Sequence, residues 1–92
     1  MNILDASKIM FNNRFDRLSD LDALTWYRDL KDFRVFVRCI FDFNNPDEIA
    51  SFDLYLTRMI NEKPLKIEVC NDRDIHFILR VIHTFQYSES VN

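Results

Sequence analysis

Strict alternation of apolar and mixed positions makes residues 33–43 the most strongly patterned segment of the chain. Every second residue is apolar: Phe33, Val35, Val37, Cys39, Phe41 and Phe43. The positions between them are Arg34, Phe36, Arg38, Ile40 and Asp42. Because successive side chains of a strand point to opposite sides, this pattern predicts a central strand with one apolar face and one mixed face. On the apolar face, Cys39 is expected to be an inert core residue.

The N-terminal part of the chain predicts helical segments. Residues 1–15 fit a short helix capped by Asp5, or a short strand that begins at Ile3 and Leu4, and the pattern leaves both open. Ser19 can cap a second helix that runs to about residue 31. Acidic residues follow that cap and basic residues lie in the last turn, as the helix dipole favours.

A third helix and a second strand are expected after the turn at 44–48. Asn45 is suited to the N-cap, Pro46 to the first helical position, and Glu48 to the capping box. An apolar stripe at helical spacing extends this helix to about residue 62: Ile49, Phe52, Leu56, Met59 and Ile60. Residues 65–70 alternate again. The order strand, helix, strand predicts a parallel pair with a right-handed crossover.

The last patterned segment, residues 75–87, fits either a helix capped by Asn71 or a strand that forms a hairpin with residues 65–70. We favour the helix. The predicted fold is therefore an α+β single domain over residues 1–92, with a short sheet centred on residues 33–43 and packed helices.

Composition narrows the classes of function. The 92 residues are 48% hydrophobic, include no glycine, and carry a net charge of −3. A phosphate-binding loop needs glycine, and a protein that neutralises nucleic-acid phosphates is usually basic, so both are disfavoured. The lack of glycine also weighs against an all-β meander with many tight hairpins. No apolar run is long enough to cross a bilayer, and the two cysteines are expected to be free thiols, so we expect a cytoplasmic protein.

No set of residues predicts catalysis, a metal ion or a cofactor. On a helix, His76 and His83 would be two turns apart, which suits a solvated face better than a metal site. The numerous carboxylates lack the spacing of a calcium loop. Cys39 is expected in the core and nothing in the sequence activates Cys70. We therefore expect that the protein is not an enzyme.

Three groups of residues are candidates for contact with a partner. Trp, Tyr and Arg are enriched at binding hot spots, and aromatic residues interleaved with arginine can also stack nucleic-acid bases. On these grounds the candidate partner-binding residues form three groups: Trp26, Tyr27 and Arg28; Arg34, Phe36 and Arg38; and Leu54 and Tyr55.

The predicted function is non-catalytic binding of another protein, as a small inhibitor or adaptor. A chain rich in Phe, Asn and Ile and without glycine fits a phage or mobile-element product. A small nucleic-acid-binding regulator that uses Arg34, Phe36 and Arg38 is the alternative, and a metal-assisted enzyme at His76 and His83 is the third hypothesis. Homodimerisation is also expected, because an unpaired strand edge or an uncovered apolar patch favours a second copy.

No family is recognised in the sequence. The stretch LDAL at residues 21–24, followed by an aromatic-rich strand, resembles small α/β nuclease inhibitors of the barstar type. That resemblance covers a handful of residues, and no site is transferred from it.

Overall fold

The computed structural model of the chain describes the backbone of residues 1–18 and 24–91, and the side chains of residues 1–18 and 24–85. Within these residues the elements, in chain order, are α1 (Ile3–Asn12), β1 (Asp16–Leu18), β2 (Thr25–Asp29), β3 (Arg34–Phe41), β4 (Ile49–Ile60), β5 (Lys63–Asp72) and α2 (Ile75–Val91).

The five strands form one antiparallel sheet in the order in which they occur along the chain, β1-β2-β3-β4-β5. The strand predicted over 33–43 is confirmed as β3, and it lies at the centre. In the register of the sheet, Val37 lies opposite Trp26 on β2 and Leu54 on β4. Paired residues project to the same side, so the apolar residues of three strands meet on one face.

Both helices contribute to the core on this face, which we call the covered face. Ala6 and Met10 of α1 and Ile75, Ile78 and Ile82 of α2 are buried. The buried residues of the strands and of their connections are Phe15, Leu24, Trp26, Val35, Val37, Cys39, Ile49, Phe52 and Leu54. As predicted, Cys39 belongs to this core. Phe43 does not, because it lies beyond the end of β3 and is 98% exposed.

The architecture predicted from the sequence is wrong. Instead of a short sheet with several packed helices, the described residues form a five-stranded antiparallel sheet with two helices. In place of the helix predicted over 19–31, residues Thr25–Asp29 form β2, while positions 19–23 lie outside the described residues.

The helix predicted from Pro46 is also wrong, because Ile49–Ile60 form β4. The stripe at helical spacing shares Phe52 and Leu56 with a strand alternation in which Leu54 also points inward. Pairing with β3 on one side and β5 on the other satisfies the backbone of β4 as a strand.

The residues of the expected capping box form a turn. The Glu48 backbone N–H donates to the Asn45 carbonyl at 3.0 Å. The Glu48 carboxylate does not cap a helix, because it accepts a hydrogen bond from the amino group of Met1 at 2.8 Å. The capping-box pattern therefore has a different use, which is to hold the N-terminus beside β4.

The strand predicted over 65–70 is confirmed as part of β5, but the parallel crossover is wrong. β4 and β5 form an antiparallel hairpin, with Asn61 and Glu62 between Ile60 and Lys63. Both turn residues have left-handed backbone angles, with φ of 52° and 66°. This geometry usually favours glycine. A meander is therefore compatible with the absence of glycine, because only one two-residue turn joins its described strands.

The structure resolves the two segments that the sequence left open. Residues 1–15 contain helix α1, and its cap is Asn2, whose side chain accepts the Asp5 N–H at 2.8 Å. The helix favoured over 75–87 is confirmed as α2. The Asp74 carboxylate accepts the His76 N–H at 2.9 Å, so the cap lies at Asp74 and not at Asn71. Among the described residues, neither helix has the length and apolar character that crossing a membrane requires.

Candidate binding face

The side of the sheet that faces away from both helices carries half-exposed aromatic and charged residues. We call this surface the open face and define it by Tyr27, Arg34, Phe36, Arg38, Asp53, Tyr55 and Lys66. These residues alternate with core residues along β2, β3, β4 and β5, so the same strands that form the core also present them. All seven are half-buried or exposed.

Strand register places the aromatic residues of the open face in one row. Phe36 on β3 lies opposite Tyr27 on β2 and opposite Tyr55 on β4. The rings of Phe36 and Tyr55 are stacked, with their centroids 4.9 Å apart and their planes at 8°. This ring pair lies in the middle of the open face.

Three cations lie over the tyrosine rings. The Arg34 guanidinium carbon is 4.5 Å from the Tyr27 ring centroid. The Lys66 amino nitrogen is 4.4 Å from the Tyr55 ring centroid, and the Arg38 guanidinium carbon is 5.9 Å from it. These distances are within the range at which a cation is attracted to the face of a ring.

Arg34 is also held by a carboxylate on the neighbouring strand. Its Nε donates to Asp29 Oδ1 at 2.6 Å and its Nη2 donates to Oδ2 at 3.2 Å. The hydrogen bond from Arg34 lowers the pKa of Asp29, and the bond to Asp29 raises the pKa of Arg34. Because solvent screens this exposed pair, its main effect is to fix the direction of the guanidinium.

A second ion pair lies closer to the protein interior. Arg38 Nη2 donates to Asp53 Oδ2 at 2.9 Å, and the Asn71 side-chain amide donates to Oδ1 of the same carboxylate. Burial alone would raise the pKa of Asp53, but the hydrogen bonds from Asn71 and Arg38 outweigh it, and the pKa lies below its ordinary value. Arg38 Nε is buried and has no hydrogen-bond partner among the described residues. A cleft of about 270 Å³ lies beside this pair, and Tyr55, Glu68 and Asn71 are among the residues that line it.

Five of the predicted partner-binding residues lie on the open face: Tyr27, Arg34, Phe36, Arg38 and Tyr55. The other three do not. Trp26 is 0% exposed and Leu54 is 1% exposed, both in the core. Arg28 lies on the side of β2 that bears Trp26, and its Nη1 donates to the Asn13 carbonyl at 3.3 Å.

These three residues were misplaced because each was assigned to a helix, where adjacent residues are only about 100° apart around the axis and can border the same exposed surface. In a strand, Trp26 and Tyr27 point to opposite faces, as do Leu54 and Tyr55. Sequence reasoning also missed Asp53 and Lys66 as members of the open face. The signal for both was the alternation of polar and apolar residues along 51–57 and 65–68.

The other candidate groups do not assemble into a site. His76 and His83 are exposed on α2, and the described residues contain no group of three His, Cys, Asp or Glu side chains that could hold a metal ion. Burial raises the pKa of the Cys39 thiol to about 12. Burial, and then the charge of Asp72, raise the pKa of Cys70. Neither thiol is therefore activated as a nucleophile.

No protein-family model, curated protein or solved structure matches the chain. The resemblance to barstar-type inhibitors therefore gains no support.

Proposed function

We propose that this protein is a non-catalytic protein-binding module that contacts its partner through the open face, as a small inhibitor or adaptor. The observation that carries the proposal is the stacked Phe36–Tyr55 pair at the centre of a sheet face, with two cations, Arg38 and Lys66, against the Tyr55 ring. Aromatic residues and arginine are the residue types that contribute most to binding energy at protein interfaces.

The charges of the open face suit a protein surface better than a phosphate backbone. Arg34 is paired with Asp29, and Arg38 is paired with Asp53. The Lys66 Nζ lies 3.8 Å from the Glu68 Oε1. A partner with both signs of charge can exchange contacts with such pairs, whereas polyanionic nucleic acid would face three carboxylates.

The side chains of the open face are already ordered by one another. Phe36 is stacked, Arg34 is held by two hydrogen bonds, and Asp53 accepts hydrogen bonds from two residues. Ordering side chains at an interface opposes binding, so a surface ordered in advance loses less free energy when a partner docks. This supports a role in recognition that needs no rearrangement of the sheet.

Affinity capture with a matched pair of variants tests the proposal. Wild-type protein, Phe36→Ala and Leu4→Ala are each immobilised and exposed to lysate of the source cells. Leu4 is the control because it is an exposed apolar residue on α1, 64% accessible and outside the open face. We expect wild type and Leu4→Ala to retain the same protein, and Phe36→Ala to bind it at least about tenfold more weakly.

Urea unfolding of the three proteins first confirms that each is folded at the temperature of capture. A photo-crosslinking residue at position 36 then establishes direct contact with the captured protein. Equal retention by Phe36→Ala and wild type would show that the open face is not the binding surface.

Single-stranded nucleic acid is the second candidate ligand, because a sheet surface with aromatic residues and arginine can stack bases. Fluorescence anisotropy with labelled single-stranded DNA and RNA at low salt separates the two functions. We expect no binding. Binding that weakens steeply with added salt and is lost in Arg38→Ala would replace the protein-binding proposal.

We also infer a cytoplasmic location, where thiols remain reduced. The two free cysteines, Cys39 and Cys70, support this inference.

A further inference from the structure

The outer edge of β5 is a long strand edge without a partner among the described residues. β5 is the last strand of the sheet and spans ten residues, whereas β1 at the opposite edge spans three. Residues 63–68 are all exposed. Unpaired edges of this length are a common point of association between chains.

The hairpin turn determines which backbone groups of β5 point to this free edge. A two-residue turn makes its flanking residues, Ile60 and Lys63, a hydrogen-bonded pair. Hydrogen-bonded pairs then alternate along the ladder, so Leu65 and Ile67 direct their N–H and C=O groups to β4. The N–H and C=O groups of Lys66 and Glu68 are therefore directed away from the sheet.

We propose that a second copy of this chain pairs with this edge, β5 antiparallel to β5, with the two-fold axis at Ile67. This dimer goes beyond the proposed function and does not depend on it. In this register Ile67 lies opposite Ile67 of the second copy, and Lys66 lies opposite Glu68 of the second copy. The outward backbone groups of Lys66 and Glu68 then supply the new hydrogen bonds.

Charge complementarity selects this register over its neighbours. A shift of one residue would bring the open face of one copy onto the covered side of the other. A shift of two residues would place Lys66 opposite Lys66, or Glu68 opposite Glu68. Among these registers, the proposed one sets Lys66 against Glu68 of the second copy, and two-fold symmetry gives that contact twice.

Apolar residues on the helix side of β5 would be covered by the same pairing. Leu65 is 47% exposed and Ile67 is 41% exposed. In the proposed register Leu65 lies opposite Val69 of the second copy, so both positions gain an apolar neighbour. The two open faces would lie on one side of a continuous sheet.

Pro64 restricts the pairing to a closed dimer. It has no N–H to donate, so the ladder cannot extend far toward the hairpin turn. Because the contact is symmetric, the β5 edge of each copy is occupied by the other copy, and the remaining edge strand among the described residues is the three-residue β1.

Sedimentation equilibrium over a series of protein concentrations tests the charge pairing. We expect a reversible dimer, and we expect Lys66→Glu and Glu68→Lys each to raise its dissociation constant about tenfold, because each substitution creates two like-charge contacts. The double variant Lys66→Glu/Glu68→Lys restores opposite charges and should return the dissociation constant to that of wild type. Phe36→Ala, on the open face, should leave it unchanged.

Disulfide trapping tests the register independently of affinity. Ile67→Cys is made in a Cys70→Ser background, with Leu65→Cys in the same background as the control. The thiols introduced at position 67 of two copies would be direct neighbours on the two-fold axis, whereas position 65 is roughly 13 Å from its own symmetry mate, four residues along the strand. Mild oxidation should crosslink the first variant and not the second.

Three results would overturn the dimer: wild-type protein that is monomeric at every concentration, a double variant that dimerises no better than the single variants, or equal crosslinking at positions 65 and 67.

Discussion

The two faces of β3 are formed by alternate residues of one strand, but different forces organise them. On the covered face, Val35 and Val37 are fully buried between the sheet and the helices. On the open face, Arg34 and Arg38 form ion pairs and Phe36 stacks on Tyr55. The covered face is held by removal of apolar surface from water, and the open face by contacts that remain partly hydrated.

This difference indicates which residues are needed for folding and which are available for recognition. Burial of a large apolar side chain contributes a few kcal/mol, whereas a partly exposed ion pair or ring pair contributes about 1 kcal/mol or less. Residues such as Arg34 and Phe36 therefore add little to stability where they are. These residues would contribute more free energy in contact with another molecule, because that contact removes the remaining water around them.

Truncation of one large side chain on each face should give the largest difference. Trp26 is the largest fully buried side chain among the described residues, so Trp26→Ala should lower the free energy of unfolding by about 3–5 kcal/mol. Phe36→Ala should lower it by about 1 kcal/mol, because Phe36 is only half-buried. Urea unfolding followed by far-ultraviolet circular dichroism measures both, since this signal does not depend on the tryptophan.

A control variant separates the indole nitrogen of Trp26 from its bulk. Trp26 Nε1 is buried without a hydrogen-bond partner in the described part of the chain, so replacement by Phe removes an unsatisfied donor as well as some volume. Trp26→Phe should therefore be much less destabilising than Trp26→Ala. If Phe36→Ala lowered the free energy of unfolding as much as Trp26→Ala does, the two faces would not differ in the way that the structure indicates.

The sequence prediction was firmest where the pattern fits only one structure. The six apolar positions at period two over residues 33–43 have no helical equivalent, and a strand, β3, was found there. The segment of β4 carries both periods, because Phe52 and Leu56 belong to a helical stripe and to a strand alternation. Long-range pairing decided between them, and pairing between distant segments is not visible in a local pattern.

The candidate site was predicted in part for the same reason. Arg34, Phe36 and Arg38 belong to the strand that was recognised, and their shared face followed from alternation. Tyr27 and Tyr55 were named as partner-binding residues, but their place beside Phe36 depends on the register of β2 and β4. Asp53 and Lys66 were missed, since only that register brings them to the arginines and the tyrosine rings.

The next largest difference in stability should come from replacing Asp53 and Asp29, the two carboxylates that pair with arginines of the open face. The folded state holds the pKa of Asp53 below its ordinary value of 3.8. Its ionised form therefore stabilises the fold above pH 3.8, and this contribution is lost as the pH falls through the lower folded pKa. At neutral pH, Asp53→Asn should lower the free energy of unfolding by about 1 kcal/mol, allowing for solvent screening.

Urea unfolding as a function of pH checks this expectation, with Asp29→Asn as the matched control. Asp29 also pairs with an arginine, but its side chain is 63% exposed against 28% for Asp53, so its replacement should leave the unfolding midpoint nearly unchanged. The difference between wild type and Asp53→Asn should disappear in acid. A difference that persists there would mean that Asp53 acts through packing and not through its charge.

The smallest expected effect on stability belongs to the stacked rings. In a double-mutant cycle with Phe36→Leu and Tyr55→Leu, we expect a coupling of about 0.5 kcal/mol, because a partly hydrated ring pair lies at the low end of the range for aromatic contacts. The same variants should weaken partner capture far more than they change stability. A coupling of several kcal/mol would assign the ring pair to the fold, and the open face would then resemble the covered face. A small coupling together with a large loss of binding can arise only if the energy of these rings is realised in contact with another molecule.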